Sequence, residues 1–460
     1  MTEPHLTRGI GRFDATALVV GSMIGSGIFI VSAESSRVLG SPGWMLLAWV
    51  IAGTLTMIAS LSCAELAAML PKAGGQYVFF REAYGPLFGF LFGWTLFLVV
   101  QTGTIAAVAV AFARYLGVLA PAVSSANVLL SVGPVHLSSV QAVALAVVLL
   151  LTATNATGLK AGTLTQNVFT VAKFAALAAL TVFGLALGKD GAALRSADLF
   201  RASAPSGEAL GGLALVFALG TAMVGPLFSQ SAWNNVTFAG EEIRDPGRTL
   251  PFALLSGCLI VTAIYVLANV AYLNVLPFSV VQRPPEDRLA TAVATALFGP
   301  GAAAAMAAAI MVSTFGCVNG LILSGARVSF AMARDGHFFA GLARVNRASV
   351  PGNALWAQGA WACLLVLSGT YSALVRYVIS VDIAFFVLLV LAVIVLRKKQ
   401  PHLPRPFRAP GYPVLPLVFA GAGIVLIAIL LKGNPATTWP GYAFCLSGIP
   451  IYLLWRKRAA

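Results

Sequence analysis

Gly21-Ser22-Met23-Ile24-Gly25-Ser26-Gly27-Ile28-Phe29 lies in the middle of an apolar run that otherwise reads as a membrane-spanning helix. Three glycines and two serines weaken a helix at this point, since each glycine costs about 1 kcal/mol relative to alanine. Gly25 stands thirteen residues after Arg12, and Gly27 ten before Arg37. Those separations are about 20 Å and about 15 Å along a helix, so the weak point falls near the midplane of a bilayer. Backbone N–H groups freed there must be satisfied by protein, water or a ligand, because lipid offers them nothing. The start of a half-helix suits a carboxylate, through its free N–H groups and the positive end of its dipole. A plainer reading competes: Gly21 and Gly25 form a Gly-x-x-x-Gly pair of the kind that lets membrane helices approach closely.

A second interruption favours the functional reading. Phe228-Ser229-Gln230-Ser231-Ala232-Trp233-Asn234 follows Gly225-Pro226 and places polar residues well inside another apolar run. Two broken spans at corresponding places in two halves are the mark of a transporter built from inverted repeats, with its substrate held at the midplane.

The rest of the chain fits a membrane setting. Of 460 residues, 59% are hydrophobic and 10% charged, and the mean hydropathy is +0.90, a surface that water could not solvate. At about 20 apolar residues per span, about twelve spans are expected, near 12–36, 44–69, 86–117, 138–158, 163–187, 208–239, 250–276, 290–332, 353–370, 374–396, 413–432 and 438–455. No window is left for a soluble domain, and the ten-residue alternation of a membrane β-barrel is absent. The net charge of +14 is dispersed over short loops, which argues against nucleic-acid binding. With the N-terminus inside, about 19 of the 29 Lys and Arg fall on the cytoplasmic side, which places both termini in the cytoplasm. No cleavable signal peptide precedes the first span.

Several chemistries find no support. The five cysteines lie in or beside apolar spans and read as buried thiols, and the four histidines have no second ligand at metal spacing. No Gly-Lys-Ser/Thr phosphate loop is present, so ion gradients or exchange are the expected energy sources. No Ser–His or Cys–His pair falls at matching depth, so an enzyme is not expected, and neither is a cofactor.

At its interrupted spans the sequence resembles the amino acid–polyamine–organocation superfamily, and within it the L-amino-acid transporter type. The likeness continues through Ala64-Glu65-Leu66, Gly74-Gly75-Gln76-Tyr77, Gly93-Trp94, Gln166 to Lys173, Trp233-Asn234, Glu241-Glu242-Ile243-Arg244-Asp245-Pro246, Ser313-Thr314-Phe315-Gly316, Asn319-Gly320 and Arg405-Pro406-Phe407. It implies an all-α polytopic protein of the LeuT-type fold. Residues 12–187 would form one five-helix repeat, 208–396 its inverted counterpart and 413–455 two further helices, with the first and sixth spans broken.

Carried over by position, the resemblance seats a substrate carboxylate on Gly25, Ser26 and Gly27, and gives its ammonium the carbonyls of Met23, Phe228 and Ser231. Phe228 would be an aromatic gate, and Trp233 and Asn234 would support the broken sixth helix. The family usually has Gly-Gly before this Trp, whereas here Ser231-Ala232 stands, bulk that argues against a large aromatic substrate.

Lys173 is thirteen residues from Lys160 and sixteen from Lys189, near the membrane centre, where a lysine costs about 2.5–3.5 kcal/mol and needs interior partners. In the family pattern it occupies the place where sodium-coupled relatives hold a cation, which implies a built-in charge in place of sodium. Asp382, fifteen residues before Arg397, falls inside the outer hydrocarbon boundary. It could carry a coupling proton, select a cationic substrate, or only cap the start of its helix. Glu241 to Arg248 reads either as a salt-bridged inner gate or as a solvated loop, and Glu65 as structural.

The expected function is sodium-independent transport of small to medium neutral amino acids by exchange or proton coupling. The alternatives are a receptor that senses amino acids with the same pocket, or a cationic amino acid or amine antiporter. Residues 118–137 contain no cysteine, so the disulfide-linked heavy chain of some animal relatives is not expected.

Overall fold

Helix termination signals in the sequence translate directly into elements in the computed structural model, which describes residues 8–132, 135–368, 371–433 and 435–459. α1 (Arg12–Met23) and α2 (Gly27–Leu39) are parted by Ile24-Gly25-Ser26 and meet at 40°. Gly40, left-handed at φ 56°, ends α2, and Ser41 with Pro42 starts α3 (Pro42–Met69), the Ser41 hydroxyl accepting from Trp44 N at 3.3 Å. α4 (Gln76–Tyr84) is followed at Gly85-Pro86 by α5 (Pro86–Thr95), which runs through a π-helical turn at Leu96–Val100 into α6 (Gln101–Leu119).

An antiparallel hairpin, β1 (Val128–Val132) and β2 (Val135–Ser138), leads to α7 (Ser139–Ala156), α8 (Leu159–Leu187) and the short α9 (Ala192–Arg195). The second half holds α10 (Gly212–Ala222), α11 (Val224–Ser229), α12 (Asn235–Phe238), α13 (Pro246–Val275), α14 (Phe278–Gln282), α15 (Leu289–Phe298) and α16 (Ala302–Arg334). Then come α17 (Gly352–Ser368), α18 (Tyr371–Lys399), α19 (Val414–Gly433) and α20 (Pro435–Ala459).

Among the described residues eight helical runs are long and apolar enough to cross a membrane, and the bent α1–α2 pair makes a ninth. The chain is a multi-pass helical membrane protein. Two expectations need correction. The run read as one span over 290–332 is two helices, because Gly299 at φ 84° with Pro300 and Gly301 breaks it between α15 and α16. An all-α chain was also expected, yet the loop before α7 forms the two-stranded hairpin.

The bundle turns apolar faces to lipid and polar ones inward. On α8, Leu164, Val168 and Val171 are exposed, while Gln166, Thr170 and Lys173 are buried at i, i+4 and i+7 spacing. At the end of the bundle where α1 begins, Glu65 is buried and receives Arg397 Nε at 2.8 Å, Arg397 Nη2 at 2.6 Å and Ala409 N at 2.7 Å. It thereby pins α3 to α18 and to the segment before α19, which fits the structural role expected of it. At the opposite end a cleft of about 560 Å³ opens, lined in part by Ile30, Arg114, Asp287 and Arg288, with Arg37 paired to Asp287 at 2.8 Å.

Candidate functional site

A helix that ends inside the bundle leaves its last carbonyls without intrahelical partners, and each needs a donor from elsewhere. α1 receives them all from side chains on other helices. Gly21 O accepts from Lys173 Nζ, Ser22 O from Cys317 Sγ at 3.2 Å, Met23 O from the Tyr265 hydroxyl at 3.0 Å, and Ile24 O from Lys173 Nζ at 2.8 Å. Ser313 Oγ approaches Ile24 O and Gly25 O at 3.4 Å each, and Lys173 Nζ reaches Ser313 O at 3.4 Å. α8, α13 and α16 thus converge on one helix end, with the fully buried Lys173 ammonium at its centre. A cation beside the negative end of a helix dipole is electrostatically favourable.

The start of α2 is different. Ser26 is its N-cap residue, but its side chain makes no capping hydrogen bond to the first turn, and Gly25, Ser26 and Gly27 are all buried. Of the first-turn amides, Phe29 N donates to Ser26 O at 3.2 Å, while those of Gly27 and Ile28 are buried and make no bond to the Ser26 side chain, the condition under which a helix N-terminus takes an anion. The glycines on either side do different jobs. A Cβ on Gly21 would strike Gln166 and Thr170 of α8, so that glycine serves close packing. A Cβ on Gly27 would strike the Ser229 side chain on α11, so Gly27 lets the two interrupted spans touch.

α11 ends at Ser229 and α12 begins at Asn235, with Gln230 to Asn234 between them. Ala232 holds φ 66°, a left-handed conformation that costs a non-glycine residue about 1–2 kcal/mol. This is the place where the resemblance puts glycine, so the departure seen in the sequence costs strain as well as space. Trp233 stacks on Phe386 of α18 at 5.2 Å, and Asn234 Nδ2 donates to Gln76 Oε1 of α4 at 2.7 Å. Both residues brace the break against neighbouring helices.

Phe228 is buried at the end of α11, and its carbonyl accepts from Ser231 N at 3.1 Å and Ser231 Oγ at 2.7 Å. Those two donors occupy both lone pairs of Phe228 O, whereas Met23 O, which among the described residues accepts from Tyr265, keeps one for an ammonium. Asp382 is buried on α18 and has no hydrogen-bond or ion-pair partner among the described residues. Near it, Thr56, Gln230, Ser231, Trp233, Ile379 and Ile383 help to enclose a cavity of about 30 Å³, room for one water.

The structure thus brings Gly25, Ser26, Gly27, Met23 and Lys173 together at one break, with Phe228 and Ser231 on the facing one. Tyr265, Ser313, Cys317 and Ser229 complete the arrangement and were not singled out from sequence as site residues. Ser313 lies in a motif quoted above, but Tyr265 is an aromatic in an apolar run with no local signal.

Comparison with known proteins agrees with this architecture. The amino acid permease family profile matches residues 10–454. The chain belongs to the amino acid permease family. This permease is a membrane transporter of amino acids, of the L-amino-acid transporter type within its superfamily. The serine/threonine exchanger SteT of Bacillus subtilis (strain 168) is 31% identical over 458 residues, covering 99% of this chain and 98% of the relative. The large neutral amino acids transporter small subunit 2 of Homo sapiens is 31% identical over 98% of this chain and 80% of its own length. The Asc-type amino acid transporter 1 of Mus musculus is 30% identical, with 98% and 82% covered.

Proposed function

We propose that this permease exchanges small neutral amino acids across the cytoplasmic membrane by alternating access, without sodium and without acting as an enzyme. In this reading α17, α18 and α20 join the nine spans to make twelve, in the LeuT-type arrangement of two inverted five-helix repeats and two further helices. The basic bias of the loops at the α1-start end supports cytoplasmic termini. The absence of cysteine from 118–137 supports a chain that works without a disulfide-linked heavy chain.

The opposite treatment of the two ends of the first break carries the proposal. Its carbonyl end is filled by a fixed cation, Lys173, at the place where the resemblance puts the cation of sodium-coupled relatives. At its amide end the Gly27 and Ile28 N–H groups are buried and make no bond to the Ser26 side chain, which suits them to a carboxylate. A zwitterion laid across the break meets the amides with its carboxylate and the free lone pair of Met23 O with its ammonium. The likeness to SteT, a serine/threonine exchanger, supports a small substrate, as does the bulk of Ser231-Ala232.

Purified permease in proteoliposomes tests this. Uptake of labelled serine, threonine or alanine is expected to require unlabelled amino acid inside and to be unchanged when choline replaces sodium. Steep, saturable dependence on sodium overturns the reading.

The buried carboxyl of Asp382, which has no hydrogen-bond partner among the described residues, favours a second reading, proton coupling. It predicts strong pH dependence of neutral amino-acid uptake in wild type that disappears in Asp382→Asn. Identical profiles in both proteins leave Asp382 a structural role, and loss of cationic-substrate binding alone makes it a charge selector.

A further inference from the structure

Gln230 follows α11 directly and is fully buried, and its side chain binds two other helices at once. Its Nε2 donates to Trp49 O of α3 at 3.2 Å, and its Oε1 accepts from the Thr262 hydroxyl of α13 at 3.0 Å. Gly53 on α3 makes the opening for this, since a Cβ there would strike Thr262 and come within 3.1 Å of Gln230 Oε1. Neither helix needs the contact for itself. Trp49 O lies inside α3, where a helical amide already serves it, and a threonine in a helix can return its hydroxyl to its own backbone. The two anchor points also lead to the end of α1. Trp49 meets Tyr265 edge to face at 5.5 Å, and Tyr265, three residues after Thr262 on α13, holds Met23 O through its hydroxyl.

We propose that Gln230 is a positioning residue for amino-acid transport: its tether to α3 and α13 holds the left-handed turn at Ala232 in place and so fixes the wall that limits the substrate's side chain. The inference rests on the reading that lays the substrate between Gly25-Ser26-Gly27 and Ser231. Ala232 stands two residues after Gln230 at φ 66°, a conformation that persists in a non-glycine residue where the surroundings impose it. On its far side, Trp233 and Asn234 are fixed by Phe386 and Gln76. On its near side, Ser231 N and Oγ turn back on Phe228 O within the same turn, so they do not locate it in the bundle. Gln230 does. The turn has room to relax, because a cavity of about 30 Å³ borders Gln230, Ser231 and Trp233. Two hydrogen bonds and one strained residue are energies of the same order, so losing the first is enough to free the second.

Gln230→Met keeps the length of the side chain and removes both hydrogen bonds. Purified full-length permease carrying it is expected to bind labelled serine about tenfold more weakly, while competition by leucine is undiminished, so the preference for serine falls by the same factor. A merely structural role weakens both ligands alike and lowers the unfolding temperature in step. Gln230→Met/Ala232→Gly is expected to bring serine affinity back to within about threefold of wild type, because glycine takes the left-handed conformation without strain. Thr262→Val removes one of the two bonds and leaves Gln230 in place. It is expected to give a smaller loss of the same kind and to add nothing when combined with Gln230→Met, and it carries the test if Gln230→Met does not fold.

Unchanged selectivity in Gln230→Met, serine and leucine weakened in parallel, or a double variant with Ala232→Gly no better than the single one each overturns the tether. Serine exchange by wild type in proteoliposomes separates that result from failure of the reading beneath it. Wild type that exchanges serine while Gln230→Met keeps its selectivity sinks the tether alone. Wild type that neither binds nor exchanges serine, threonine or alanine sinks the small-substrate reading, and the tether with it.

Discussion

Lys173→Met stops amino-acid exchange while the protein still inserts and purifies. The side chain donates to Gly21 O, Ile24 O and Ser313 O, joining α8 to the end of α1 and to α16. Methionine keeps most of the volume but none of the donors, so the substitution isolates charge and hydrogen bonding from packing. Buried carbonyls that lose their donor cost about 1–3 kcal/mol each. If about 3 kcal/mol of that loss falls on the geometry needed for turnover, the rate drops by about a hundredfold. Lys173→Ala should be at least as inactive, since it adds a cavity. Exchange per reconstituted molecule in proteoliposomes is the measurement. Near-wild-type exchange by Lys173→Met shows that the ammonium is dispensable and removes the physical basis for sodium-free operation.

How far the sequence discloses this site depends on the range of the interactions involved. The interruption at Gly25-Ser26-Gly27 is legible because helix-weakening residues act locally, and their distance from flanking arginines measures depth. Lys173 is legible for the same reason, as a charge too far from either helix end to reach water. Its partners are not, since Tyr265, Ser313 and Cys317 come from helices remote in sequence and only tertiary packing turns them toward α1. The same holds for Glu242: the acidic motif is visible, but its partner Arg327 is 85 residues away and reads locally as one more basic residue. The missed break at Gly299-Pro300-Gly301 is a different failure. There the punctuation was present, and the alanine-rich runs on both sides, apolar enough to read as one span, concealed it.

Gly27 gives the second large effect, and the structure changes how it must be tested. Gly27→Leu should abolish substrate binding, but a Cβ at this position meets Ser229 of α11 before it meets anything else, so loss of binding alone does not identify a carboxylate seat. The two explanations separate with a compensating pair. Gly27→Ala forces α2 away from α11 and is expected to weaken substrate affinity at least about tenfold, a methyl overpacked against a well-filled interface costing roughly 1–3 kcal/mol. Ser229→Gly removes the Oγ and Cβ that the new methyl would strike, leaving the Ser229 backbone, which the Gly27 Cβ position approaches at 3.1 Å. If the seat consists of backbone amides, Gly27→Ala/Ser229→Gly keeps those amides and recovers most of the lost affinity, because alanine at 27 leaves the N–H of the first turn of α2 in place. Binding measured by scintillation proximity on purified protein, with thermal unfolding in detergent as the folding control, reads both effects. Full affinity in Gly27→Ala shows that the two broken spans need not touch here. A double variant that unfolds like wild type yet binds no better than Gly27→Ala removes the amide seat and places the carboxylate elsewhere in the break.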